Sequence, residues 1–78
     1  MVTQHLSATV RRTQILDAAR RLFLSKGYEA TTIEDVLSAV GIAKGTLYHH
    51  FPGKEAILDA IVVRASDAIA ERAARAAS

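Results

Sequence analysis

The sequence predicts an all-α protein built around a helix-turn-helix unit. Apolar residues recur at spacings of three and four along most of the chain, which is the period of a helix face, and no segment alternates apolar and polar residues as a strand does. Three periodic segments stop at residues that end helices, namely Gly27, Gly41 and Pro52. Residues 32–40 and 44–50 are short helical segments separated by a tight glycine turn, which is the pattern of a helix-turn-helix.

Length and composition are those of one small domain with its own apolar core. The chain has 78 residues, of which 50% are hydrophobic, and it contains no cysteine. A domain this short buries only about 60% of the surface that its unfolded chain exposes, and the lack of cysteine excludes disulfides and thiolate metal sites. A net charge of +2 and a pI near 9.4 are mildly basic. Such a charge does not identify a nucleic-acid binder unless the basic residues are clustered.

The sequence contains no recognisable targeting or membrane segment. Residues 1–10 lack the continuous apolar core of a signal peptide. No apolar run reaches the ~18 residues expected of a membrane-spanning helix. These observations predict a soluble, cytoplasmic protein with no membrane partner.

The first helix is predicted to follow a flexible N-terminal arm of residues 1–9 and to continue to Ser25. Its apolar face is formed by Ile15, Ala19, Leu22 and Phe23. Gly27, just past Lys26, provides the stop, because glycine can take the left-handed conformation that ends many helices.

The second helix is predicted to begin after Thr32. Thr32 with Asp35 three residues later resembles a capping box, in which each residue satisfies a backbone N–H of the other. The helix then continues through an apolar stripe formed by Ile33, Val36, Leu37 and Val40. Gly41 ends it, and Ile42 is predicted to anchor the turn in the core.

The third helix is predicted from Lys44 to His50, with Leu47 and Phe51 facing inward, since Pro52 disfavours helical geometry at the preceding residue. A long fourth helix is predicted from Lys54 onward. Its apolar stripe is Ile57, Leu58, Ile61, Val62, Ala65 and Ile69. The alanine-rich residues beyond that stripe have little to bury, so they should either fray or pack against a partner.

The third helix carries a polar, basic and aromatic surface suited to reading DNA. If its apolar residues face the core, the exposed positions are Lys44, Gly45, Thr46, Tyr48 and His49. Lysine and threonine can bond to base edges, and glycine lets the backbone approach closely. Tyr48 and Lys54 lie at the ends of the segment, where they can donate to phosphate oxygens. The simpler alternative is that this face of the third helix is only solvated. The capped helix and the glycine turn that precede the third helix make this alternative less favoured.

Two further surfaces could contact DNA. The start of the second helix, residues 31–33, offers free amides and hydroxyls to a phosphate, and this contact is compatible with capping. Arg11 and Arg12 on the first helix could reach a flanking groove, although such charges commonly form only a solvated face.

Neither metal binding nor catalysis is predicted. His49 and His50 are adjacent and point about 100° apart on a helix, whereas helical zinc ligands lie at i and i+4. The third imidazole, His5, lies in the predicted arm. The sequence shows no glycine-rich phosphate loop, no nucleophile elbow and no carboxylate pair in an evident cleft. We therefore expect no metal, no cofactor and no enzymatic activity.

Two motifs resemble the N-terminal DNA-binding domain of TetR-family bacterial transcriptional regulators. They are Gly27-Tyr-Glu-Ala-Thr-Thr32 and Gly45-Thr-Leu-Tyr-His-His-Phe51 followed by Lys54-Glu55, within a match that runs from Thr13 to Leu58. The resemblance implies a homodimeric repressor whose second and third helices read a double-stranded DNA operator. Carried over by position, the residues at bases or nearby backbone would be Lys44, Gly45, Thr46 and His49, and those at phosphates Thr32, Tyr48, His50 and Lys54.

This chain departs from the family pattern in two respects. Ala43 stands where the family often has serine or threonine, so a helix cap and a hydroxyl contact would be missing. Family members also continue into a larger helical domain that binds a small-molecule effector and supplies the dimer interface. That domain is absent from this sequence, which we therefore expect to be a fragment of a longer regulator.

These observations divide the chain into three parts: a flexible arm at 1–9, a homeodomain-like helix-turn-helix domain at 10–53, and a fourth helix at 54–78 that leads toward the absent domain. The predicted function is sequence-specific DNA binding by a TetR-like repressor, which reads a palindromic operator through the major groove. The alternative is a small helical interaction module that dimerises through the fourth helix and does not bind DNA.

Overall fold

The computed structural model describes residues 7–77 as four helices around one small core. The helices are α1 (Ala8–Lys26), α2 (Ile33–Val40), α3 (Lys44–His50) and α4 (Lys54–Ala77). α1 packs against α2 and α4, and α2 packs against α3. Residues 7–77 contain no strand, and none of their helices is long and apolar enough to cross a membrane. The predicted all-α fold is therefore confirmed.

α1 begins earlier than the sequence indicated. Ser7 caps the helix, since its Oγ accepts a hydrogen bond of 3.1 Å from the Val10 N–H, and Ala8 and Thr9 form part of the first turn. The predicted flexible arm of residues 1–9 is corrected at Ala8 and Thr9, and its residues 1–6 lie outside the described part of the chain. Serine is among the preferred N-cap residues, so a local signal for this start was present.

Glycines with positive φ end the first two helices. Gly41 has φ 81° and ψ 42°, the left-handed conformation, and its N–H donates to the Leu37 carbonyl at 2.7 Å. Gly27 has φ 92° but ψ 152°, so it does not take the left-handed conformation that the sequence suggested. Both positions favour glycine, because side chains with a Cβ rarely adopt positive φ.

A capping box and an ion pair join α1 to the start of α2. Thr32 Oγ1 accepts from the Asp35 N–H at 3.1 Å, and Asp35 Oδ2 accepts from the Thr32 N–H at 2.9 Å. Lys26 also donates to Asp35 Oδ2, at 2.8 Å. The Lys26 hydrogen bond, followed by the Thr32 backbone bond, lowers the pKa of Asp35 from 3.8 to about 2. The Asp35 carboxylate therefore links the last residue of α1 to the N-cap of α2.

The core draws on all four helices. It consists of Ile15, Leu16, Ala19, Val36, Leu47, Phe51 and Ile57. The inward positions predicted for Leu47 and Phe51 are thus confirmed. On α1 the buried face is wider than the predicted stripe, since Leu16 and Ala18 are also buried while Leu22 and Phe23 are half-buried. The reason is that α1 is covered on two sides, by α2 and by α4.

Thr31 belongs to the core and not to the surface that the sequence suggested for phosphate. Its side chain is buried, and its Oγ1 donates to the Gly27 carbonyl at 2.7 Å. Its backbone N–H donates to the same carbonyl at 3.2 Å. Thr31 therefore closes the turn between α1 and α2, and of residues 31–33 Thr32 is the exposed one.

Only the first part of α4 contributes to the core. Ile57 is buried, Leu58 and Ile61 are half-buried, and Arg64 donates to Asp17 of α1 at 2.9 Å. The remaining residues of the predicted stripe, Val62, Ala65 and Ile69, are exposed. α4 is helical to Ala77, through the alanine-rich residues.

Ala43 occupies the N-cap position of α3 with extended backbone angles and makes no side-chain capping bond. We expect Ala43→Ser to raise the free energy of unfolding by about 1 kcal/mol, because a serine Oγ can accept a bond from the first turn. The thermal midpoint should rise by about 4–8 °C per kcal/mol in a domain of this size. Ala70→Ser, at an exposed position inside α4, is the matched control. Equal midpoints for the two variants would show that α3 does not gain a cap.

Candidate nucleic-acid interface

The exposed side of α3 carries most of the residues predicted to contact DNA. Lys44, Gly45, Thr46, Tyr48 and His49 are exposed, and His50 is half-buried. The opposite side is held by the core residues of the segment, and the Phe51 N–H donates to the Leu47 carbonyl at 2.9 Å. The structure therefore orients α3 with its polar side chains outward.

Arg12 of α1 helps to hold this orientation. The centre of its guanidinium lies 5.0 Å from the centroid of the Phe51 ring, a cation–π distance. In this structure the side chain thus packs against the residue that ends α3. The sequence had offered only a flanking DNA contact or a solvated face for it.

Gly45 is a glycine that the fold does not require. It lies in the first turn of α3 without a positive φ, and a Cβ added there would meet no atom within 4 Å. Glycine inside a helix costs roughly 0.5–1 kcal/mol relative to alanine. Its presence leaves a bare stretch of exposed backbone next to Lys44, where another molecule can approach closely.

Lys44 lies beside an acidic residue in the first turn of α2. Lys44 Nζ is 3.5 Å from Glu34 Oε2, and the side chains are 60% and 67% exposed respectively. The pair joins the first residue of α3 to the first turn of α2. The acid of the capping box is Asp35 and not Glu34. No local sequence signal indicated this contact, because the turn at Gly41 brings the two residues together.

The two histidine rings of α3 contact each other. The His49 and His50 rings meet edge to face with centroids 5.4 Å apart, and the His50 ring lies 6.4 Å from that of Phe51. Residues 7–77 contain no group of three or more histidine, cysteine or acidic side chains that could hold a metal ion.

The structure places Lys54 in contact with the loop between α1 and α2. Its Nζ donates to the Tyr28 carbonyl at 2.7 Å and lies 3.5 Å from the Glu29 carbonyl. The same atom lies 4.3 Å from the centroid of the Tyr28 ring. Lys54 therefore ties the start of α4 to the loop that leads to Thr32. The sequence had predicted only a phosphate contact for it.

These features define a class of protein. Two short helices joined by a glycine turn, the second of which exposes lysine, threonine, tyrosine and histidine, are the architecture of a helix-turn-helix DNA-binding domain. A comparison with protein families agrees, since residues 15–61 match the model for bacterial regulatory proteins of the tetR family. The chain belongs to the TetR family, whose members are DNA-binding transcriptional regulators.

Curated relatives carry names of the same kind. The chain is 50% identical over 52 residues to the HTH-type transcriptional repressor KstR2 of Rhodococcus jostii, which covers 67% of this chain and 26% of that protein. It is 39% identical over 71 residues to the HTH-type transcriptional repressor Rv1474c of Mycobacterium tuberculosis, covering 91% and 37%. With the HTH-type transcriptional regulator UidR of Escherichia coli the values are 38% over 64 residues, covering 82% and 33%.

The chain therefore spans between about a quarter and somewhat over a third of the length of these relatives. No solved structure gives a significant match. Family membership favours the DNA-binding prediction over an interaction module that does not touch DNA.

Proposed function

We propose that this chain is the sequence-specific DNA-binding domain of a transcriptional repressor, in which α3 enters the major groove of a palindromic operator. The observation that carries the proposal is the orientation of α3, with Leu47 and Phe51 buried and the side from Lys44 to His49 exposed. Recognition helices of this motif contact base edges with their N-terminal residues. Two of the matched relatives are named repressors, which supports repression over activation.

The proposed contacts follow the positions of the side chains. The residues at bases or nearby backbone are Lys44, Gly45, Thr46 and His49, and those at phosphates are Thr32, Tyr48, His50 and Lys54. Tyr48 is 43% exposed, so its hydroxyl is accessible to a phosphate oxygen. Lys54 has three N–H donors, so one remains for a phosphate after the bonds to the Tyr28 and Glu29 carbonyls.

The complete regulator is proposed to act as a cytoplasmic homodimer. Two copies of α3 would then enter successive major grooves about 34–36 Å apart, or a multiple of that distance. A small-molecule effector would bind to a part of the protein outside this chain and change that separation. This chain alone should bind weakly, because the second half-site contributes an effective-concentration gain of about 10²–10⁴.

The experiment that tests this function is selection from a randomised duplex library at low salt, followed by sequencing of the bound pool. An enriched inverted repeat supports both sequence reading and dimerisation on the site. An enriched single half-site supports sequence reading without dimerisation by this chain. If nothing is enriched and no mobility shift appears even at high protein concentration, the proposal is wrong and the interaction module through α4 gains support.

We expect Tyr48→Phe to weaken binding to all duplexes by a similar factor, because it removes a phosphate donor and no base contact. The slope of log affinity against log salt should stay nearly unchanged, because the neutral Tyr48 hydroxyl displaces no counterion from the phosphate. Lys44→Ala should instead relax the preference at particular base pairs, by about 1–3 kcal/mol if the lysine makes a bidentate contact. Both quantities come from titrations of selected and scrambled duplexes at several salt concentrations. A change of sequence preference in Tyr48→Phe, with overall affinity intact, would contradict these roles.

A further inference from the structure

We propose that Glu34 and Lys44 together read one G·C base pair in each half-site, with Lys44 Nζ donating to guanine and the Glu34 carboxylate accepting from the cytosine N4 amino group. The inference rests on the DNA-binding function proposed above and assigns a base preference to a part of that surface. Glu34 becomes a specificity-determining residue, although neither the family match nor the sequence motifs single it out.

The two side chains are placed for a joint contact. Lys44 is the first residue of α3 and Glu34 lies in the first turn of α2, so the pair stands where the two helices of the motif meet. Their charged atoms are 3.5 Å apart, and more than half of each side chain is exposed. An exposed ion pair contributes only about 0–1 kcal/mol to stability. The ion pair itself therefore adds little to the stability of the fold.

The neighbouring acid cannot play the same role. Asp35 accepts bonds from the Thr32 N–H and from Lys26 through the same carboxylate oxygen. Its carboxylate is thus engaged in the junction of α1 and α2. Glu34 is the acid of this turn that lies beside the base-reading end of α3.

The donor and acceptor of the pair match the edge of a G·C base pair. In the major groove guanine offers the acceptors N7 and O6, and cytosine offers the N4 amino donor. O6 and N4 share a Watson–Crick hydrogen bond, so they lie about 2.9 Å apart. The 3.5 Å separation of Lys44 Nζ and Glu34 Oε2 is close to that spacing. In an A·T pair the adenine N6 donor lies between two acceptors, adenine N7 and thymine O4. The thymine methyl group lies beside O4 and obstructs an ammonium that approaches this oxygen.

The carboxylate contributes mainly by rejecting other sequences. The DNA phosphates repel the negative charge of the Glu34 carboxylate. This repulsion is offset only where the carboxylate accepts a hydrogen bond from a base. At a site without cytosine at this position, Glu34 would be left close to acceptor atoms. Unpaired or like-charged contacts of this kind are how proteins discriminate against wrong partners.

The test is the same duplex selection applied to the unsubstituted chain, to Glu34→Ala, which removes both the charge and the acceptor, to Lys44→Ala and to Asp67→Asn. Asp67 is exposed on α4, so its amide variant removes one negative charge without touching the proposed surface. We expect the unsubstituted chain and Asp67→Asn to select G·C at one position of each half-site. Glu34→Ala and Lys44→Ala should each relax that same position, by roughly 5-fold to 150-fold in relative affinity. The other selected positions should keep their preferences.

Three results would overturn the inference. If Glu34→Ala selects the same sequence and binds all duplexes more tightly by one factor, the carboxylate only repels phosphates, and the proposed function stands without the base reading. If Glu34→Ala and Lys44→Ala relax different base pairs, the two residues do not read one pair. If the unsubstituted chain enriches no sequence at all, the inference and the proposed function both fail. Circular dichroism of each variant separates these results from loss of the fold.

Discussion

Replacing Leu47 with alanine is expected to lower the free energy of unfolding by about 2–5 kcal/mol, the range for truncating a buried leucine. Leu47 is fully buried and belongs to the cluster that contains Val36, Phe51 and Ile57. A single core in a domain of this size rarely supplies more than about 3–5 kcal/mol. The variant should therefore be largely unfolded at physiological temperature and should lose DNA binding together with its helix signal.

The measurement is urea unfolding followed by far-ultraviolet circular dichroism. Leu24→Ala is the matched control, since it makes the same chemical change on α1 at a position that is 72% exposed. Its effect should stay within about 0.5 kcal/mol, as for most surface substitutions. If the two variants unfold at the same urea concentration, Leu47 does not face the core, and the orientation of α3 that underlies the candidate interface is wrong.

The second large loss in the free energy of unfolding is expected from a substitution at Lys54. Lys54→Met removes the ammonium but keeps an unbranched side chain of similar length. The Tyr28 carbonyl then loses a donor at 2.7 Å, and the Tyr28 ring loses the cation 4.3 Å from its centroid. Hydrogen bonds that involve a charged group contribute about 1.5–3 kcal/mol. Because Lys54 is half-buried and not fully enclosed, we expect a loss near the lower end of that range.

This loss should appear in unfolding experiments without DNA, which separates an internal contact from a phosphate contact. Lys44→Met is the control, because the Lys44 ammonium lies 3.5 Å from Glu34 and is well exposed. Exposed pairs contribute about 0.2–1 kcal/mol. Equal stability of the two variants would mean that Lys54 does not tie α4 to the loop. Any effect of Lys54→Met on DNA binding would then reflect the loss of a contact between Lys54 and the DNA.

The bounds of α2 and α3 could be predicted because their signals are local. The capping pair Thr32 and Asp35, the glycine at Gly41 and the proline at Pro52 each act within about one turn of the chain, and the helices begin and end where these residues indicate. The exposed side of α3 followed from the inward positions of Leu47 and Phe51. The early start of α1 at Ala8 was missed although Ser7 is a strong cap, because few apolar residues follow it to mark a helix face.

The partners of the charged side chains could not be predicted. Lys54 meets the carbonyl of a residue 26 positions earlier, and Lys44 meets Glu34 only after the turn folds α3 back beside α2. The burial of Leu16 and Thr31 likewise depends on which neighbours cover α1 and the loop that follows it. In each case the position of another helix decides the contact.

By itself the sequence determined the number and type of the helices, most of their ends and the class of protein, because periodicity, capping and glycine stops operate over a few residues. Only the tertiary structure decided which part of each apolar face is covered. On α4 the helical period continues to Ile69, yet Val62 and Ile69 are exposed. The described helices do not cover that face, and burial requires a neighbour as well as an apolar pattern.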